Sequence, residues 1–142
     1  MECPRDAMQG LHDFIPTEHK IAYLQDLLEV GFHSLDFGSF VSPKAIPQLR
    51  DTEAVLKGLD LSDTKTQLLA IVANLRGAKA AAKHKEIRFL GYPFSVSEIF
   101  QKRNTNKSIK ESQELVKQLL DLSSNSSKDL VVYVSMGFGN PY

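Results

Sequence analysis

Short apolar runs alternate along the chain with segments of helical periodicity. The runs at 68–73 and 130–135 are almost continuously apolar, which is typical of strands buried on both faces of a parallel sheet. Further runs lie at 34–40 and 87–92, and a barely developed one at 1–3 opens the chain. The alternation therefore predicts an α/β fold with about five parallel strands and intervening helices.

The segments between the runs carry signals for the starts and ends of helices. The side chains placed to cap these helices are Thr17, Asp51, Asn74 and Ser108. Gly31 lies where a left-handed residue would end the first long helix. Glu111 has the spacing from Ser108 that a capping box requires, and a short extra helix is expected near 97–103. These signals support the predicted strand–helix alternation.

A doubly wound sheet and a (β/α)8 barrel both fit this alternation. No glycine-rich phosphate loop follows the first run, and polar residues instead follow several strands, at 5–6, 36–39, 74 and 135 onward. Barrels place their chemistry at the carboxyl ends of many strands. We therefore predict a partial TIM barrel. Because a full barrel needs about 250 residues, residues 1–142 are expected to be the N-terminal portion of a single catalytic domain.

Composition and charge narrow the expected partners and location. Lys plus Arg and Asp plus Glu both number 17, so the basic excess of a nucleic-acid-binding protein is missing. No apolar run approaches the roughly 20 residues that span a bilayer. The start of the chain has no apolar signal region, and Cys3 has no cysteine to pair with. We therefore expect no nucleic-acid or membrane partner and a bacterial cytoplasmic location, with the mitochondrial matrix as the alternative.

Arg5, Asp6 and Asp36 are the first candidates for chemistry. A carboxylate at Asp6 could bind a divalent cation, and the guanidinium of Arg5 could hold a developing oxyanion, although an ordinary turn pair has the same sequence. Asp36 lies inside an apolar run, where a carboxylate is costly to bury unless it is paired. It could face the barrel mouth beside Arg5, or it could face solvent on an edge strand.

Weaker candidates lie elsewhere in the chain. The loop at 39–48 contains two prolines that stiffen it, so it is either a binding loop or a rigid connector. Asn104 follows a basic pair and could meet an anionic ligand, and Tyr133 could donate a hydrogen bond into a site. The four histidines lack the spacing of a zinc cluster.

Four motifs resemble those of one enzyme family, the 3-hydroxy-3-methylglutaryl-CoA lyases. Residues 4–9, PRDAMQ, resemble the family's P-R-D-G-L-Q opening, and residues 39–48, SFVSPKAIPQ, are similar to its S-F-V-S-P-K-x-x-P-Q signature. Residues 104–112 resemble its N-x-N-x-S-I-x-E-S stretch, and 134–142 its V-S-x-x-x-G-C-P-Y segment. The second motif is the most specific, because related aldol and Claisen enzymes share the first.

The resemblance implies a TIM-barrel metallolyase that cleaves 3-hydroxy-3-methylglutaryl-CoA to acetyl-CoA and acetoacetate. Asp6 would bind Mg²⁺ or Mn²⁺, Arg5 would stabilise the enolate of acetyl-CoA, and Asp36 would stand at the position of a catalytic glutamate. The residues implied in or near the acyl-CoA pocket, besides Arg5, are Gln9, Ser39, Asn104 and Tyr133. The cation would ease proton removal from the tertiary hydroxyl.

Departures from the family pattern leave alternatives open. Asp36 is shorter than the usual glutamate, and Met136 and Asn140 stand where cysteines are common. The family's H-x-H ligands and loop cysteine follow the fifth strand, so we expect this chain alone to be an incomplete, inactive fragment with exposed strand edges. The full-length form is expected to be a homo-oligomer, a dimer in the simplest case. A Claisen-type synthase or carboxyltransferase, and a non-catalytic half-barrel that pairs with another subunit, remain the competing hypotheses.

Overall fold

The computed structural model describes residues 1–140, which form alternating strands and helices. The helices are α1 (Pro4–Gln9), α2 (Thr17–Val30), α3 (Thr52–Gly58), α4 (Leu75–Ala81), α5 (Glu98–Thr105) and α6 (Ile109–Asn125), and a short 3-10 turn spans Pro47–Leu49. The strands are β1 (Ser34–Ser39), β2 (Gln67–Ile71), β3 (Ile87–Ser95) and β4 (Asp129–Ser135). Within the described residues, no helix is both long and apolar enough to cross a membrane.

The four strands form one parallel sheet in the order β1-β2-β3-β4. A doubly wound sheet reverses its strand order at a switch point, whereas the strands of a TIM barrel follow one another in sequence order. The uninterrupted order therefore favours the barrel over the doubly wound sheet. The prediction of a partial TIM barrel is confirmed.

The expected first strand at 1–3 is wrong. The segment makes only an isolated parallel bridge between Glu2 and Leu35, with a 3.0 Å bond from Glu2 N to the Ser34 carbonyl. Pro4 has no N–H for a ladder, and its fixed φ suits the first turn of a helix, so α1 begins there. Arg5 and Asp6 consequently lie on a helix and do not lie in a loop after a strand.

The apolar core lies between the outer face of the sheet and the helices. Its buried members include Leu24 and Leu28 of α2, Leu35 and Phe37 of β1, Leu68 and Ala70 of β2, Leu90 and Tyr92 of β3, and Leu115 and Leu119 of α6. The pairing of β1 with β2 shifts register between Asp36 and Gly38, so Phe37 is an extra residue. Leu35 and Phe37 belong to the core, while Asp36 between them lines a cavity at the other face of the sheet.

Two of the four expected caps form as predicted. The side chain of Asn74 accepts a bond from Gly77 N, and Ser108 and Glu111 make a complete capping box. Gly31 ends α2 in the left-handed region, at φ 79°. Thr17 and Asp51 make no side-chain cap. Their side chains bond to each other instead, at 2.7 Å.

Candidate active site

A cavity of about 360 Å³ opens at the carboxyl ends of the strands. Most of the residues that the sequence singled out line it, namely Arg5, Asp6, Gln9, Asp36, Asn104 and Tyr133. Ile71, Pro93 and Ser135 place the ends of β2, β3 and β4 in the same wall. The cavity therefore draws on every strand of the sheet and on α1 and α5.

The centre of the cavity wall is a buried ion pair between Arg5 and Asp36. The Arg5 Nη2 atom donates to Asp36 Oδ2 at 2.6 Å, and Nε lies 3.1 and 3.2 Å from the two carboxylate oxygens. The Asp36 side chain is fully buried, and that of Arg5 is 10% exposed. The forked geometry fixes both the position and the plane of the guanidinium. Asp36 thus takes the arrangement of an arginine partner and not that of a solvent-facing residue.

Two further side chains of α1 engage the same guanidinium. Arg5 Nη1 donates to Gln9 Oε1 at 2.8 Å, one helical turn along, and to Asp6 Oδ1 at 2.9 Å. The Asp6 side chain is 67% exposed, so its carboxylate reaches the open mouth of the cavity. One α-helical turn therefore presents a cation, a carboxylate and an amide to the same space.

Burial and ion pairing shift the pKa values of Arg5 and Asp36 in opposite directions. Burial raises the pKa of Asp36 above its usual range, and the hydrogen bond and charge of Arg5 oppose that rise only in part. Burial would lower the pKa of Arg5, but the hydrogen bond and charge of Asp36 outweigh it and the pKa is raised. A forked bond to a guanidinium requires a carboxylate, so the pair is ionic at neutral pH.

Tyr133 and Cys3 lie beside the pair and stay protonated at neutral pH. Burial raises the pKa of Tyr133 to about 12, with a further contribution from the charge of Asp36. The phenol donates to the sulfur of Met1 at 3.2 Å. Burial likewise raises the pKa of the Cys3 thiol. The cavity thus contains a neutral phenol donor next to the guanidinium.

Asn104 reaches the cavity from α5, whose position is fixed by the buried Gln101. Gln101 accepts a bond from Ser95 N at 2.7 Å at the end of β3, and donates to Ser112 Oγ at 2.6 Å on α6. These bonds tie α5 to the sheet and to the following helix. Asn104 is therefore part of an ordered helix, whereas its sequence context also suggested a solvated loop.

Ser39 is the predicted pocket residue that the structure separates from the others. It is buried but does not line the cavity. Its hydroxyl lies 3.5 Å from the Ile71 carbonyl and accepts a bond from Val41 N at 3.2 Å. Ser39 thus shapes the turn after β1.

Several lining residues were not singled out by the sequence. They are Ile71, Ala73, Pro93 and Phe100, whereas Val41 and Ile46 belong to the candidate loop at 39–48 and Ser135 to the polar residues after the last strand. Most are apolar or small, and nothing in their type distinguishes them from core residues. Their position after strands was the only feature of the sequence that could have identified them as lining residues, and we applied it only to polar residues.

The described residues alone do not fit a divalent cation. Magnesium requires about six oxygen ligands, and no group of three or more His, Cys, Asp or Glu in residues 1–140 could hold a metal ion. Both oxygens of Asp36 are bonded to Arg5. Asp6 is the one carboxylate of the Arg5 cluster that is exposed at the cavity mouth.

Comparison with known proteins finds relatives that match nearly the whole chain. No family model matches it. It is 36% identical over 141 residues to the mitochondrial hydroxymethylglutaryl-CoA lyase of Macaca fascicularis, and 35% identical over 142 residues to the hydroxymethylglutaryl-CoA lyase YngG of Bacillus subtilis; each match covers 98% of this chain. Over nearly its whole length, the chain is similar to hydroxymethylglutaryl-CoA lyases. It corresponds to the amino-terminal part of those enzymes.

Solved structures of hydroxymethylglutaryl-CoA lyases show the same similarity. The lyase from Brucella melitensis matches 99% of the chain with a TM-score of 0.92 at 33% identity. A lyase from Acinetobacter baumannii, solved in complex with coenzyme A and 3-methylmalate, matches with a TM-score of 0.90 at 28% identity. The barrel geometry of this family is thus present in the described residues.

The chain spans less than half the length of the curated relatives that it matches. It covers 42% of the macaque lyase and 46% of the Bacillus lyase. It covers 50% of the Brucella structure. Pro141 and Tyr142, which end the fourth family motif, lie outside the described residues.

Proposed function

We propose that the protein to which this chain contributes its amino-terminal half cleaves 3-hydroxy-3-methylglutaryl-CoA into acetyl-CoA and acetoacetate. The observation that carries the proposal is the fixed guanidinium of Arg5 in the wall of a cavity at the carboxyl ends of parallel strands. The relatives reported above are all named as lyases, whereas the synthase and carboxyltransferase alternatives have no counterpart among them.

Arg5 is the group proposed to carry the charge of the reaction. Breaking the carbon–carbon bond places negative charge on the thioester oxygen of the departing acetyl-CoA. Of the five guanidinium N–H groups, Nε and Nη1 are committed to Asp36, Asp6 and Gln9, and Nη2 makes a single bond to Asp36. The second Nη2 hydrogen is the donor proposed to meet that oxygen. A prealigned donor of this kind stabilises charge as it develops.

Asp36 is proposed to act through Arg5 and not as a base. Both of its oxygens accept bonds from the guanidinium, so neither is free to remove a proton. It holds the plane of Arg5 and keeps it charged. Gln9, Asn104 and the neutral phenol of Tyr133 are proposed to bind polar groups of the acyl-CoA substrate, because each presents a hydrogen-bonding group to the cavity.

Asp6 is proposed to contribute one ligand to a divalent cation, Mg²⁺ or Mn²⁺. Its exposed carboxylate at the mouth of the cavity supports this role. The other ligands would have to come from outside residues 1–140. When bound, such a cation would supply charge that eases ionisation of a substrate hydroxyl.

The proposed location is a reducing compartment, which the single cysteine of the chain supports. The relatives differ in this respect, since the macaque lyase is named mitochondrial and a Danio rerio relative is named cytoplasmic. Bacterial cytoplasm remains our prediction, and a dimer remains our prediction for the full-length form.

The test is a lyase assay of the full-length protein with single substitutions in this half. Arg5→Lys keeps the charge but loses the fork, and we expect kcat to fall by about 100-fold or more, as for loss of a transition-state donor. Asp6→Ala should lower turnover and raise the metal concentration required. Glu18→Ala, on the exposed start of α2, serves as the matched control and should leave turnover unchanged. Undiminished turnover in Arg5→Lys or Asp6→Ala would refute the proposed roles.

A further inference from the structure

We propose that Gln48 and Lys20 are positioning residues of the candidate active site. They hold the segment 11–15 and thereby the α1 helix that precedes it in the chain. The segment is separated from Gln9, the last residue of α1, only by Gly10, and it leads into α2. Its placement therefore decides where the guanidinium cluster of α1 sits. This role concerns the geometry of the cavity and does not depend on which substrate enters it.

The buried amide of Gln48 binds alternate backbone groups of the segment. Gln48 Oε1 accepts a bond from Ile15 N at 2.9 Å. Gln48 Nε2 donates to the Asp13 carbonyl at 2.8 Å and to the Leu11 carbonyl at 3.3 Å. A single side chain thus satisfies three backbone groups that a neighbouring strand would otherwise satisfy.

Lys20 fixes the backbone of Gln48 from the opposite side. Its side chain is 1% exposed, its ammonium donates to the Gln48 carbonyl, and it pairs with Asp51 at 2.7 Å. Burying an ammonium is costly unless it is paired and hydrogen-bonded. Both conditions are met here, so removing either partner would leave an unpaired buried group.

Phe14 adds the one aromatic anchor of this segment. Its ring has the Lys20 ammonium 4.1 Å from its centroid and the Arg50 guanidinium 3.6 Å from it. Both cations therefore make a cation–π contact with the same ring. Lys20 therefore holds the segment both through the backbone of Gln48 and through this ring.

Burial of the remaining side chains contributes little, because only Ile15 among them is half-buried. His12 and Asp13 are fully exposed, and Leu11 is exposed as well. Gln48 and the Phe14 anchor are thus the contacts that fix it. Without them, α1 would be held only at its start, through Arg5 and the Glu2–Leu35 bridge, and its carboxyl end would lose its support.

The test uses the one cysteine of the whole chain as a reporter for α1. Cys3 lies just before α1, and its thiol pKa is raised by burial and by the charge of Asp36, while Arg5 lowers it. We expect Gln48→Met to speed alkylation of Cys3 by iodoacetamide several-fold at neutral pH, and to shift the pH profile of the rate towards that of a free thiol. Rates are measured under conditions in which far-UV circular dichroism shows the chain folded.

Lys128→Met is the matched control. Lys128 is a second buried lysine, whose ammonium donates to the His84 and Ile87 carbonyls, each at 2.7 Å, at the amino ends of β3 and β4. This variant should lower the urea midpoint and leave the Cys3 profile as in the parent. A Gln48→Met profile that superimposes on the parent, despite a lower urea midpoint, would overturn the proposal.

Phe14→Leu keeps the test decisive if Gln48→Met does not fold. It removes the aromatic face from both cations and retains an apolar side chain. The expected change in Cys3 alkylation has the same direction and is smaller. An unchanged profile in this variant would also overturn the proposal.

Discussion

Each edge strand of the sheet carries the aspartate of an arginine–aspartate pair: Asp36 of β1 binds Arg5 of α1, and Asp129 of β4 binds Arg88 of β3. The two pairs have the same closest distance of 2.6 Å. Their surroundings differ. Arg5 and Asp36, at β1, have side chains 10% and 0% exposed, whereas Arg88 and Asp129, at β4, are 46% and 51% exposed. The contact distance alone therefore does not distinguish a buried ion pair of the candidate active site from an exposed ion pair on the surface.

The two edges differ in the same way in their packing. All six residues of β1 are buried, and Glu2 and α1 cover its outer side. No strand of residues 1–140 pairs with the free edge of β4, and its Val132 and Val134 are 38% and 63% exposed. The β1 edge is thus covered and contributes to the candidate active site, whereas the β4 edge is uncovered within residues 1–140 and can pair with another strand.

The largest expected effect is the loss of the β1 pair. Asp36→Ala leaves the guanidinium of Arg5 buried without its main partner, and we expect a loss of about 3–5 kcal/mol in the free energy of unfolding. Asp129→Ala, which removes the exposed β4 pair, should cost no more than about 1 kcal/mol. Urea denaturation of both variants measures the contrast. Equal small losses would show that water in the cavity replaces the carboxylate.

An intermediate effect is expected at the open edge. An unpaired strand edge with exposed valines is a template for association, so the sedimentation coefficient of the chain should rise with its concentration. Val134→Lys should hold the chain at the monomer value, because a charge on the edge opposes pairing. Val30→Lys, at a 65% exposed valine on α2, should associate like the parent. A parent chain that stays monomeric at all concentrations would contradict this use of the β4 edge.

The smallest effect is spectroscopic and concerns the inner face of β4. Tyr133, whose pKa burial raises to about 12, should give a late component in the near-ultraviolet phenolate titration of the four tyrosines. Tyr133→Phe should remove that component, whereas Tyr23→Phe should retain it. A parent titration that is complete well below this pH would mean that the inner face is open to water.

Most of the sheet and part of the site could be predicted from local signals. The buried strands, the Asn74 cap and the capping box at Ser108 depend on residues close in sequence, and each was found. The convergence of Arg5, Asp6 and Asp36 was expected from the family motifs and from a first strand that does not form; the Glu2–Leu35 bridge brings α1 beside β1 instead. The strands and the caps need no knowledge of distant contacts.

The remaining features depend on residues far apart in the chain. Thr17 and Asp51 are good caps by type, but they bond to each other across 34 residues, and Asp51 also pairs with Lys20. Ser39 lies in the most specific motif, yet its hydroxyl contacts the backbone of Ile71 and Val41 and it does not line the cavity. Pro4 is a typical first residue of a helix, but we expected a strand at 1–3 and therefore did not predict a helix there.

The short α1 helix also sets the order in which the molecule can acquire its structure. Six residues are too few for a stable helix in isolation, where about 12 are marginal. The contacts that fix residues 1–9 lie at Leu35 and Asp36, and β1 is itself paired as far as Ile71. These residues therefore stay unstructured until β1 and β2 have joined. The part of the fold that carries the guanidinium is thus completed only after the strands that support it.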